Sequence, residues 1–146
     1  MEIKILSFEQ LTIHTLYELL QLRAEVFVVE QNCPYQDVDG KDQKALHVLG
    51  YKEGSLVAYT RLFEPGAYFN NASIGRVLVK ENQRQYGYGK VIMQASITHI
   101  ETDLNTKTIE LSAQTYLKKF YNELGFRAVG EGYLEDDIPH MRMIKS

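Results

Sequence analysis

A chain of 146 residues with 45% hydrophobic and 24% charged residues has the length and balance of one globular domain, which excludes a disordered segment or a low-complexity tail. Sixteen basic against nineteen acidic residues leave a net charge of −3, so no overall basic field holds a nucleic-acid backbone and general DNA or RNA binding is excluded, although a local anion site made of backbone amides needs no net charge. The single cysteine, Cys33, rules out an intrachain disulfide and a cysteine-rich zinc site.

The first ten residues lack the basic flank and apolar run of a signal peptide. No apolar stretch approaches the roughly 18–20 residues of a membrane helix. The expectation is a cytoplasmic protein without a membrane partner. Residues 3–8 read as a short strand. Over residues 8–28 the apolar period becomes helical, with Leu16, Leu19, Leu20, Val26 and Phe27 on one stripe that Arg23 interrupts. Pro34 and the polar run 36–42 make a loop. Residues 45–51 and 56–63 flank Glu53-Gly54 and read as a hairpin. After Pro65-Gly66 and a loop to Asn71, the β-branched run 73–79 predicts a central strand. A helix opens at Arg84-Gln85-Tyr86-Gly87-Tyr88-Gly89 and extends to about Leu104, with Val91, Ile92, Ala95, Ile97 and Ile100 as its core stripe. Residues 108–113 form a further strand. Leu117, Phe120, Tyr121 and Leu124 form a short helix face that Gly125 closes as a left-handed cap. Two last strands, 127–134 and 140–144, flank the acidic turn Glu135-Asp136-Asp137. This order predicts an α/β fold, one domain over residues 1–146, with a mixed sheet and helices on both faces. The Gly54 hairpin contradicts a fully parallel, flavodoxin-like sheet.

Gly87 and Gly89 sit where the chain turns into a helix. Glycines let a backbone approach a ligand closely, and the free amides of a helix start meet the positive end of its dipole, so a phosphate or pyrophosphate fits there. Glycine pairs at such turns are also found with only a structural role. The third glycine of a dinucleotide fingerprint would fall at Ile92, and no Gly-Lys-Ser/Thr follows, so Rossmann and P-loop readings fail. The acidic loop 37–42 fails as a calcium loop, because its first and last ligands would be Tyr35 and Leu46. No cluster has metal-ligand spacing, and no metal is expected. Arg23, Arg61 and Arg76 interrupt apolar elements. Buried arginines pair with carboxylates, here Glu30, Asp37 or Asp39; Arg76 alternatively reaches a substrate carboxylate. Glu30 and His47 are candidates to take a proton, against plainer roles as a helix-end charge and a satisfied core histidine.

Taken together, Ile74-Gly75-Arg76-Val77-Leu78-Val79, then Arg84-x-x-Gly87-x-Gly89, then Phe120-Tyr121-x-x-x-Gly125-Phe126 resemble the GNAT superfamily of acyl-CoA N-acyltransferases in order and spacing. The segments 22–40 and 138–141 resemble its ElaA-like branch. The resemblance implies a mostly antiparallel central sheet with a splayed wedge for the cofactor. It implies that backbone amides of Arg84, Gln85, Tyr86, Gly87, Tyr88, Gly89 and Lys90 cradle the CoA pyrophosphate. The edge of Val77, Leu78 and Val79 would pair with the pantetheine arm. Gln114 stands where many members have an Asn, and Tyr121 matches the superfamily's tyrosine acid. A strand amide at Leu78 would hold the oxyanion, Tyr121 would protonate the leaving thiolate, and Phe120 would face the core. The implied activity is transfer of an acetyl group from acetyl-CoA to a primary amine, on a small molecule or a protein, in a ternary complex. A CoA-binding regulatory module without turnover is the rival reading. A homodimer is compatible with either.

Overall fold

The computed structural model describes every residue, Met1–Ser146. Seven strands, β1 (Glu2–Ser7), β2 (Leu46–Lys52), β3 (Ser55–Phe63), β4 (Ala72–Val79), β5 (Ile109–Gln114), β6 (Arg127–Glu135) and β7 (Ile138–Lys145), form one sheet in the order β1-β2-β3-β4-β5-β7-β6. All neighbours are antiparallel except β4 and β5. The helices are α1 (Ile13–Arg23), α2 (Tyr88–Thr102) and α3 (Lys118–Glu123). None is long and apolar enough to cross a membrane. The mixed, mostly antiparallel α/β fold expected from the sequence is the one observed.

Strand alternation splits the core into two layers. Val48, Ala58, Leu62 and Ile74 pack toward Ile92, Met93, Ile97 and Ile100 of α2. Leu49, Tyr59 and Leu78 pack toward Leu19 and Leu22 of α1 and Val26 beyond it. The buried face of α2 is turned from the predicted stripe: Val91 is 45% exposed, while Met93 and Ser96 are buried. Ser96 obscures the pattern in sequence. Its hydroxyl donates to the Ile92 carbonyl at 2.8 Å and lies 2.6 Å from the Thr60 hydroxyl, so a polar side chain is satisfied inside the core.

The first helix is shorter than predicted. Residues Phe8–Gln10 make a separate 3₁₀ turn, and the Thr12 hydroxyl accepts the Thr15 amide at 3.1 Å to start α1. Residues Ala24–Glu30 continue it as a wider π-helical turn.

Two features of β4 shape the edge it presents. It pairs with β5 only at Ala72↔Ile109 and Ser73↔Glu110, and the two strands then diverge. It also bulges: Arg61 faces Gly75 and Tyr59 faces Leu78, so Arg76 and Val77 together oppose Thr60. Arg76 takes a φ of +49° at the bulge.

All three interrupting arginines end in one ion cluster. Arg23 Nε donates to Asp37 Oδ2 at 2.8 Å and its Nη1 to Asp42 Oδ1 at 2.7 Å. Arg61 donates to both Asp39 oxygens and to Asp42, each at 2.9 Å. Arg76 Nε lies 2.7 Å from Asp37 Oδ1. The expected partners Asp37 and Asp39 are confirmed and Asp42 joins them, whereas Glu30 pairs elsewhere. Burial alone would raise the Asp42 carboxyl, but hydrogen bonds and charge from Arg23 and Arg61 outweigh it and hold the group below its ordinary value. Replacing Arg23 by Met would leave Asp37 and Asp42 buried with a charge missing. The expected loss in unfolding free energy, read by denaturant titration, is about 3–5 kcal/mol; a loss below about 1 kcal/mol, as for an exposed pair, would mean that solvent reaches the cluster.

Candidate active site

The divergence of β4 from β5 opens a groove of about 590 Å³, in the range that holds a sizeable ligand. At one end Gly87, with φ +73°, closes the 3₁₀ turn Glu81–Tyr86 and starts α2. The amides of the first helical residues Tyr88, Gly89 and Lys90 have no partner inside the helix, and no side chain caps them. A Cβ on Gly87 would meet nothing within 4 Å, so its backbone angle alone demands glycine. Gly89 differs: a Cβ there would touch the Phe120 ring at 3.4 Å.

The side chains of this loop divide. Arg84, Gly87, Gly89 and Lys90 line the groove, whereas Gln85, Tyr86 and Tyr88 do not. The Tyr86 and Tyr88 rings carry Lys52, whose Nζ is 4.0 Å from the Tyr86 centroid. Lys90 pairs with Glu123 at 2.8 Å. Arg84 spans the groove's flank, with Nη1 and Nη2 on the two Glu30 oxygens at 2.5 and 2.7 Å and Nε on the Val79 carbonyl at 2.9 Å. Both oxygens of Glu30 are thereby engaged by Arg84.

The backbone of β4 corrects a second expectation. The Lys80 amide donates to the Val57 carbonyl at 2.7 Å on β3. Alternation in the same register turns the Leu78 amide to Tyr59 as well. The amides on the open edge therefore belong to Val77 and Val79, and the Val79 carbonyl on that edge is the one Arg84 takes. Leu78 contributes a buried side chain to the groove wall instead.

Tyr121 on α3 is buried and lines the groove. Burial pushes its phenol upward, with the nearby Tyr116 adding to the shift. The group therefore stays protonated well above neutral pH. Phe120, expected in the core, lines the groove too, edge-on to Tyr121 at 5.1 Å. From β5, Gln114 Nε2 donates across the wedge to Gln31 Oε1 at 3.3 Å. Cys33 Sγ lies 3.5 Å from the Asp136 carbonyl, so the segment after the π turn roofs the groove. Arg76 lines the groove, but its guanidinium is committed to Asp37. His47 is outside it, sealed between the Tyr59 hydroxyl at 2.6 Å and the Asp42 carbonyl at 3.0 Å. Burial lowers its imidazole.

Other groove residues were not singled out as candidates from the sequence. His140 lines the groove with Nδ1 donating to the Ile138 carbonyl at 2.6 Å and Nε2 3.3 Å from Glu135. Phe63, Tyr68, Phe69 and Ser73 form a wall near the wedge apex. The polar Ser73 at the start of a strand rich in apolar residues is the visible signal in the sequence.

Known proteins share this fold. A family model described as Acetyltransferase (GNAT) domain matches residues 14–146. The chain belongs to the GNAT acetyltransferase family. Within it, the chain is 42% identical over 142 residues to Protein ElaA of Escherichia coli, covering 96% of this chain and 93% of that protein. The crystal structure of E. coli ElaA superposes with a TM-score of 0.91 over 100% of both chains. A Pseudomonas aeruginosa acyl-CoA N-acyltransferase structure, 41% identical, gives 0.94, again over 100% of both chains. Acyl transfer is therefore the general chemistry to which this GNAT groove is fitted.

The two glycines should separate experimentally. Gly87→Ala forces a side chain into the left-handed region, with an expected cost of about 1–2 kcal/mol in unfolding free energy. Gly89→Ala makes only an ordinary contact with Phe120 and replaces glycine within a helix, so it should be neutral to within roughly 1 kcal/mol. Equal costs at both positions would contradict this division.

Proposed function

We propose that the protein transfers an acetyl group from acetyl-CoA to a primary amine, with both bound at once. The observation that carries this reading is a wedge with open-edge strand amides, an uncapped helix start at one end, and a buried phenol on its wall. The residues fit the donor. The α2 amides suit a pyrophosphate. The open edge of β4 suits the amide-bearing pantetheine arm as an added strand. Gln114 offers an amide from the opposite side.

Acetyl-CoA supplies a thioester carbon: a nitrogen–carbon bond forms, the carbon–sulfur bond breaks, and the amine's proton is finally matched by one on the thiol. The chain's own groups do the rest. The Val77 and Val79 amides donate where negative charge develops on the acyl oxygen. The Tyr121 hydroxyl, held protonated by burial, gives its proton to the departing sulfur. His140 replaces Glu30 as the group that takes the amine's proton, since its Nδ1 donates to a carbonyl and leaves Nε2 as the basic nitrogen. Holding both reactants in place removes up to about 7–11 kcal/mol of barrier. Glu135 and Asp136 at the groove favour a cationic amine. The 41% identical acyl-CoA N-acyltransferase from P. aeruginosa supports the assignment.

Thiol release from acetyl-CoA, with and without a panel of primary amines, tests the reading; a binding module without turnover would give no amine-dependent release. Tyr121→Phe keeps the ring and removes the acid. It should leave donor affinity intact by calorimetry and lower kcat by roughly 10²-fold. Turnover within a factor of about two would mean that water protonates the thiolate, since the barrier change is then well under 1 kcal/mol. His140→Gln should lower kcat by roughly 10²-fold with the donor KM unchanged; an unchanged kcat would return the proton to solvent.

A further inference from the structure

Ser73 is the last β4 residue to pair with β5, opposite Glu110, so it marks where the wedge closes. Its neighbours Ala72 and Ile74 belong to the α2 layer. Alternation turns Ser73 to the α1 side of the sheet, next to its cross-strand partner Phe63. Ser73 is 2% exposed and lines the groove, yet its hydroxyl has no hydrogen-bond partner in the protein. A buried hydroxyl left unpaired is costly, and such exceptions call for a ligand group or a role. The adjoining wall is aromatic. The Phe63 and Tyr68 rings are 5.0 Å apart, and those of Tyr68 and Phe69 are 4.7 Å apart.

The spacing narrows what can fill this end. Ser73 lies four residues before Val77, at most about 13 Å at the ordinary strand rise, and the bulge at Arg76 shortens that span. Reactive contact at the acyl carbon and a hydrogen bond at Ser73 each take about 3 Å, leaving at most roughly 7 Å between the attacking nitrogen and a ligand oxygen. A phenyl ring with a two-carbon arm spans that length.

We infer that the acceptor is an arylalkyl primary amine whose ring carries a hydrogen-bonding oxygen at its far edge, and that Ser73 is the residue that selects for that oxygen. This rests on the acyl-transfer reading above and adds the acceptor class to it. Ser73 exchanges no proton in the reaction; it pairs with the ring oxygen while the aromatic wall packs on the ring. A site built to pair a hydroxyl rejects the analogue that lacks it, because its own buried group is then stranded.

Tyramine and phenethylamine differ only in the phenolic hydroxyl and are the probes. With acetyl-CoA and wild-type protein, kcat/KM for tyramine should exceed that for phenethylamine by roughly tenfold or more. In Ser73→Ala the ratio should fall to within about threefold. A wild-type ratio near one overturns the inference, as does a preference that persists in Ser73→Ala, or an aliphatic polyamine used roughly tenfold better than tyramine. If no amine releases thiol, the acyl-transfer reading fails by itself. Calorimetry of the two amines on CoA-saturated wild-type protein then decides the pocket: tighter tyramine binding by roughly tenfold supports it, and equal affinity overturns it. The same calorimetry serves if Ser73→Ala does not fold.

Discussion

The buried cluster of Arg23, Arg61 and Arg76 with Asp37, Asp39 and Asp42 is the constraint on which the rest of the molecule depends. It draws one arginine from α1, one from β3 and one from the β4 bulge onto a single loop. Six charges in a protein interior add little net stability, because desolvation offsets most of their attraction. Their effect is positional. Neutralising one another in pairs is the only way they can be buried, so the loop has one acceptable place, and so have the residues before it. Gln31, Cys33 and Tyr35 are thereby set over the groove.

The same cluster holds the bulge. Arg76 occupies a left-handed conformation that a long side chain ordinarily avoids, and its guanidinium is fixed by Asp37. The strained residue persists because its surroundings over-determine it. Just beyond it, β4 changes phase against β3, and this change puts the Val77 and Val79 amides on the open edge. A regular strand of the same composition would face the wedge with a different set of amides. Ion cluster, bulge and open edge are therefore one device read at three scales.

Much of this was legible in the sequence. The alternation of apolar runs, the Glu53-Gly54 hairpin and the glycine loop located nearly every element. The resemblance of three motifs located the groove and Tyr121. What sequence could not convey was direction. Leu78, Val77 and Val79 are equivalent apolar letters, and only the register set by the bulge says which amide is free. Glu30 reads as an available carboxylate until Arg84, distant in the chain, is folded onto it. His47 and His140 sit in similar alternating contexts, yet one is sealed behind the ion cluster and the other lines the groove. In α2 the predicted stripe went astray because Ser96, a polar letter, is satisfied by Thr60 from another strand.

The two flanks of the groove differ in stiffness. On one flank the aspartate loop is bound mainly by Arg23 and Arg61, whose side chains are out of water. On the other, Arg84 and Glu30 are 43% and 28% exposed in their side chains. A pair so wetted contributes about 0–1 kcal/mol and is weakened by salt, whereas a buried pair resists parting. One bank of the cleft is thus rigid and the other compliant. In the proposed reaction, a long, flexible donor with a charged head would have its easier passage past the compliant bank, by the glycine loop, while the rigid bank would keep the roof and the aromatic wall in register for the smaller molecule. Admission and discrimination would in this way fall to opposite sides of a single cleft.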